Sequence, residues 1–123
     1  MTEVLLRSAA WYGDTPITLN FPAGWEVMVL GGELLPALTT DCLREALSKP
    51  IGAPPLRELA VGRNRAAIIV DDLTRPTPAA QLIPLILEEL LIAGLTIEAI
   101  TIIVAGGTHP PSTDDELSKK VGR

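Results

Sequence analysis

Cysteine is almost missing from this chain. Cys42 stands alone among 123 residues, so no intramolecular disulfide braces the fold, and a reducing cytoplasm is the compartment that suits it. Aromatic residues amount to 3%, and Trp11, Tyr12, Phe21 and Trp25 all fall in the first fifth. The rest of the core must be aliphatic, and 47% hydrophobic residues is ample for strands buried on both faces. Basic residues are few and scattered, 10 against 15 acidic for a net charge of -5, which argues against a nucleic-acid footprint. The opening MTEVLLRSAAWYGD has neither the charged n-region nor the long apolar h-region of a signal peptide. No apolar run approaches the length of a membrane span. Metal-binding Cys/His sets, Walker and dinucleotide glycine patterns, and a serine-centred elbow are all lacking. No repeat or low-complexity tract is visible.

What is present divides into a β-rich start and an α/β remainder, within at most one domain's worth of chain. Strands are expected at 4–9, 17–21 and 27–30, with turns at Gly13-Asp14 and Pro22-Ala23-Gly24, giving a small hairpin or meander with an aromatic cluster. Residues 31–38 read as a linker. Thr39-Thr40-Asp41 offers an N-cap for a short helix over 42–47 that stops near Pro50, and Pro55 opens another over 56–60 that Gly62 ends. Both helices read as structural.

The centre of the chain is the stretch 66–113. Ile68-Ile69-Val70 and residues 100–104 are β-branched runs that each stop in a polar Gly/Pro turn. Between them residues 81–93 are long enough for a helix and end at Gly94. The expected fold is α/β: strands near 66–71 and 99–104, parallel and joined by a right-handed crossover through a helix near 79–93. Glu88-Glu89 is the one obviously wet patch on that helix, which should therefore be covered on more than one side. Pro84 is comfortable only if the helix begins near Gln81. Beyond it, Thr113-Asp114-Asp115-Glu116 is a capping box, with Lys119-Lys120 placed to match the helix dipole.

A parallel pair sends both strand ends to one edge of the sheet, where open α/β sheets bind ligands. That edge receives Asp71-Asp72-Leu73-Thr74-Arg75 and Gly106-Gly107-Thr108-His109. Arg75, stiffened by Pro76 and Pro78, either presents a planar fork to a carboxylate or phosphate or simply pairs with Asp71 or Asp72. The helix N-terminus that follows would favour the same anion. Asp71 and Asp72 are open to three roles: metal ligands, acceptors for ribose hydroxyls, or turn residues. Thr74 and Thr77 are capping hydroxyls first and phosphate donors second. His109, the only histidine, is either structural or an acid/base, since imidazole titrates near neutrality. Gly106-Gly107 before it permit close approach of a ligand to the backbone.

Two of these motifs resemble the lactate racemase family of nickel-pincer-dependent 2-hydroxyacid racemases and epimerases. They are Asp72-Leu73-Thr74-Arg75-Pro76-Thr77-Pro78 and Gly106-Gly107-Thr108-His109-Pro110-Pro111-Ser112-Thr113, with Glu116-Leu117 beyond. Lys49-Pro50-Ile51-Gly52 and the segment 56–60 are similar to the family as well, so the likeness runs over about 45–123. It implies a nickel-pincer nucleotide, held in part by Asp72, Leu73, Thr74 and Arg75, with Arg75 also facing a 2-hydroxyacid substrate. His109 would be one of two acid/base histidines. The likeness further implies two α/β domains, so that residues 1–123 are the N-terminal portion of the first, inactive alone, with the remainder of the parent chain as partner and an oligomer allowed. No nickel ligand, second histidine or tethering lysine is assignable here. Pro110 replaces the arginine usual after this histidine, which removes a cation and points to a substrate other than lactate. The weighed alternatives are a non-catalytic binding or assembly domain, and a strand-end aspartate phosphotransferase. The latter lacks the second aspartate its pattern needs.

Overall fold

The computed structural model describes residues 1–7, 15–31 and 35–122, in two compact units, Met1–Pro36 and Ala37–Arg123. In the first unit, strands β1 (Thr2–Arg7) and β2 (Pro16–Phe21) pair antiparallel, with Val4 opposite Leu19 and Leu6 opposite Ile17. Side chains alternate along a strand, so these four share one face and make it apolar. Pro22 accepts a turn hydrogen bond from Trp25 (3.3 Å) across Gly24 at φ +95, and the Phe21 and Trp25 rings stand 6.1 Å apart. The expected third strand at 27–30 is not formed. Those residues have the composition for a strand but no partner among the described residues, and a lone strand leaves its backbone groups unpaired. Among the described residues the unit is a two-stranded antiparallel pair. Trp11, Tyr12, the Gly13-Asp14 turn, the end of the first expected strand and part of the linker lie outside the described residues.

The second unit holds α1 (Thr40–Ser48), α2 (Leu56–Leu59), β3 (Ala66–Asp71), α3 (Ala79–Ile92), β4 (Ile100–Ala105) and α4 (Asp114–Val121). Thr39 caps α1 by accepting from the Cys42 amide (3.2 Å). β3 and β4 are parallel, in a register running from Ala66 opposite Ile100 to Asp71 opposite Ala105. The βαβ unit is therefore as expected. Ile68 packs with Ala60, Leu90 and Leu95, joined by Leu56, Val70, Ile86 and Ile100. Each fully buried Leu or Ile here contributes roughly 1.5–3 kcal/mol.

The anticipated burial of both sheet faces does not occur in this chain. Ile68, Val70, Ile102 and Val104 share the face covered by α3 and α4, whereas Ile69, 69% exposed, and Ile103 point the other way, where no described element covers them. Coverage of α3 is likewise partial: Ile83, Leu85 and Leu90 are buried, but Leu91 and Ile92 are exposed. The Glu88-Glu89 patch is only half wet. Glu88 pairs with Arg44 of α1 (3.0 Å), while Glu89 is buried and takes both a 2.7 Å and a 2.5 Å hydrogen bond from Arg57 of α2. The short helices thus carry the countercharges that α3 needs. Because α3 begins at Ala79, Pro84 falls in its second turn and leaves the Ala80 carbonyl without its usual donor.

Candidate functional site

Two four-residue turns, each closed by the amide of its last residue on the carbonyl of its first, follow the two parallel strands. After β3, the Arg75 amide donates to the Asp72 carbonyl (3.3 Å); after β4, the His109 amide donates to the Gly106 carbonyl (3.0 Å). Gly107 sits within the second turn at φ +59, a conformation that penalises residues bearing a Cβ. The strand register ends at Asp71 opposite Ala105; by count, Arg75 and His109 each lie four residues beyond that last pair. Between the turns lies a cleft of about 220 Å³ lined by Asp72, Arg75, Gly106, Gly107, Thr108 and His109. Arg75 and His109 converge there, as parallel strands require.

Asp72 is only 6% exposed. Its Oδ1 accepts from the Thr74 amide (3.1 Å) and hydroxyl (2.5 Å), and its Oδ2 meets His109 Nδ1. The Thr74 hydroxyl foremost, and then His109, hold the Asp72 carboxyl down at about 2, so it is a carboxylate at any pH near neutrality. A carboxylate only accepts, so the proton between the two groups sits on Nδ1. In the neutral ring Nε2 then carries the lone pair, and the ring is half-exposed.

Arg75 does not pair with Asp71 or Asp72. Asp72 is engaged as described, and Asp71 is taken by Thr77 (2.6 Å) and Lys120 (2.8 Å). Among the described residues nothing pairs with the Arg75 guanidinium, which is an exposed cation at the cleft wall. Leu73 and Thr74 stand elsewhere, in an adjoining recess of about 280 Å³ with His109, Pro110 and Pro111. The structure thus brings Asp72, Arg75 and His109 together on one cleft and places Leu73 and Thr74 on the adjoining recess, which Asp72 and His109 also line. Such an arrangement can fix an oxyanion at Arg75 while Nε2 exchanges a proton with a neighbouring hydroxyl.

Two features escaped the sequence reading. One is the Asp72–His109 pair, which needs the register to be seen. The other is Lys120, read as a dipole partner but only 1% exposed. Its signal was its helical position, three residues after Leu117 and next to Val121 on the inward side. Among the described residues no three His, Cys, Asp or Glu side chains are grouped so as to hold a metal ion, and no helix is long and apolar enough to cross a membrane.

Comparison with known proteins gives a consistent result. The family model described as the lactate racemase N-terminal domain matches residues 12–123. The lactate racemases of Lactiplantibacillus plantarum and Thermoanaerobacterium thermosaccharolyticum are 39% and 35% identical over 82 residues, covering 67% of this chain and 19% of each of theirs. The chain therefore spans about a fifth of the length of these relatives. The lactate racemase apoprotein from T. thermosaccharolyticum superposes with a TM-score of 0.64 at 29% identity, over 99% of this chain and 27% of that one.

Proposed function

The chain belongs to the lactate racemase N-terminal domain family, and from that premise we propose that it forms the N-terminal part of a racemase or epimerase of 2-hydroxyacids, dependent on a nickel-pincer nucleotide. The observation that carries this reading is the convergence of a free guanidinium, Arg75, and an aspartate-held imidazole, His109, on one cleft. The donor set suits the nucleotide's anionic portion: Arg75 is unpaired, and Gly106-Gly107 keep that wall of the cleft free of side chains. The resemblance assigns nickel ligation to a later part of the parent chain, and no residue of this chain is proposed for it. When bound, the group supplies an acceptor for the hydrogen that leaves the substrate α-carbon as hydride.

The residues of this chain account for the rest. Arg75 binds a carboxylate or phosphate oxygen pair by charge-assisted hydrogen bonds of roughly 1.5–3 kcal/mol. His109 Nε2 takes the proton from the substrate hydroxyl as the carbonyl forms, and returns it in the reverse direction. Asp72 acts through His109, fixing its tautomer and steadying the charged ring once the proton has arrived. Leu73, Thr74 and Pro110 shape the recess beyond the ring. With Pro110 in place of a cation, the site tolerates a substrate other than lactate. A reducing cytoplasm suits the exposed Cys42 thiol.

The test is made in the full-length protein, with nickel content measured beside the interconversion of lactate and other 2-hydroxyacid enantiomers. His109→Ala is expected to lower the rate by about 10²–10⁴-fold or more while metal and cofactor stay bound. Arg75→Ala is expected to weaken binding of cofactor or substrate instead. A His109→Ala protein with wild-type rate, or one stripped of nickel, refutes the general-base role.

A further inference from the structure

Lys120 is the most buried large side chain among the described residues, 1% exposed, and it lies in the last turn of α4, whose N-cap Thr113 follows His109 by four residues. Its ammonium donates to the carbonyls of Arg75 (3.1 Å) and Thr77 (3.0 Å) and lies 2.8 Å from Asp71 Oδ1. Asp71 Oδ2 in turn accepts from the Thr77 hydroxyl (2.6 Å). The loop between carries Pro76 and Pro78, which lack N–H groups; the Ala79 amide reaches the Thr77 carbonyl (2.8 Å), but the Arg75 carbonyl has no backbone donor among the described residues. Lys120 supplies that donor from outside. With the Arg75 amide already given to the Asp72 carbonyl, both backbone groups of Arg75 are held, and only its side chain is left for the cleft.

Stability alone is a poor reason for this arrangement. Burying an ammonium ion costs solvation, and an apolar side chain of similar length often serves a fold as well or better. An apolar side chain would, however, release the Arg75 carbonyl, leave Thr77 held by the Ala79 amide alone, and let the loop turn at Arg75. At the other end of α4, Thr113 and Glu116 close the capping box four residues after His109. One helix therefore holds both turns of the cleft, the His109 turn by its start and the Arg75 turn by its end.

We propose that Lys120 is a positioning residue that sets where the Arg75 guanidinium stands relative to His109; the inference rests on reading the cleft as an anion-binding site. The experiment uses the whole chain labelled with ¹⁵N, following relaxation at the Arg75 and Thr77 amides and at Arg75 Nε, and titrating separately with inorganic phosphate and L-lactate. Lys120→Met is expected to loosen these groups and to weaken anion binding about tenfold, the share of one charge-assisted hydrogen bond. Lys119→Met makes the same charge change on the exposed neighbouring residue and is expected to leave both readouts nearly unchanged, since an exposed charge is screened. Thr77→Val, which removes one exposed hydroxyl and keeps the buried pair, should loosen the same groups to a smaller degree; if Lys120→Met fails to fold, this variant decides. Loop order and affinity in Lys120→Met that match those of Lys119→Met overturn the proposal. Should the wild-type chain bind neither probe, the anion-site reading fails, and the loop order alone judges the role of Lys120.

Discussion

Replacing Asp72 by asparagine is expected to invert the tautomer of His109 without disturbing the fold. The two donors of Thr74, its amide at 3.1 Å and its hydroxyl at 2.5 Å, both point at Asp72 Oδ1. An asparagine in that place keeps its carbonyl oxygen toward them, because turning its NH₂ that way sets N–H against N–H. Its NH₂ group then occupies the position of Oδ2, facing His109 Nδ1. Nδ1 must accept, so the proton moves to Nε2, and the nitrogen facing the cleft becomes a donor. A general base is lost while every heavy atom keeps its place, and the expected cost in turnover of the full-length enzyme is about 10²–10⁴-fold. The direct assay requires no activity. His109 is the only histidine, so a long-range ¹H–¹⁵N spectrum of the imidazole shows one unambiguous set of ring nitrogens. In the wild type Nδ1 should carry the proton, in Asp72→Asn it should be Nε2. A variant that keeps the proton on Nδ1, or a wild type that carries it on Nε2, refutes the assignment of Asp72 as the group that orients the base.

Two further outcomes follow from packing and charge. Gly62 and Gly122 both adopt positive φ, +73 and +83, but a Cβ on Gly62 meets nothing within 4 Å, whereas one on Gly122 meets Ala80 Cβ at 3.1 Å. Gly62→Ala should cost about 1–2 kcal/mol for conformation alone, and Gly122→Ala about 1–3 kcal/mol more for overpacking; equal shifts of the urea midpoint would deny that α4 is seated on the first turn of α3. The carboxyls of Asp71 and Glu89 are also held below their ordinary values, by Lys120 and Arg57 respectively, and Asp72 reaches about 2. The unfolded chain then binds more protons in acid than the native one, so stability should be level above about pH 5 and fall as the pH drops from about 4 toward 2. Equal melting temperatures at pH 6 and pH 2.5 would contradict this.

The parts of the fold that were legible in the sequence are those written in local chemistry. Ile68-Ile69-Val70 and the run to Val104 declare strands, Gly94 declares the helix end, and Thr113 with Glu116 forms the capping box as its spacing promised. Arg75 and His109 fell together because two parallel strands leave no other edge for them. What was misread depends on neighbours rather than on propensity. Val27 to Leu30 have the right residues for a strand, but a strand exists only beside another. Ile69 and Ile103 read as buried because they are isoleucines, yet in this chain nothing described lies over them. Glu89 read as wet and Lys120 as a helix-dipole partner, and both are buried against partners far away in sequence, Arg57 and Asp71. Whether Arg75 was tied or free was undecidable from spacing, since the answer lay in Lys120 occupying Asp71 first.

The strand pairing that ends at Asp71 and Ala105 gives the site an unusual tolerance. The sheet works as a vernier: the pairing of Asp71 with Ala105, with an equal count of residues from each strand end to its working side chain, gives the coarse placement of Arg75 against His109, on which Lys120 then acts. The length of the crossover does not enter that count. A residue added to the surface turn around Gly94 can be absorbed without moving either side chain, because the strands re-pair in the same frame. A residue added between Asp71 and Arg75 has no such outlet. It slides the guanidinium along the cleft by up to one residue's length while the imidazole stays where it was. Length variation in this protein is thus harmless on the outside of the βαβ unit and damaging in the few residues that follow each strand.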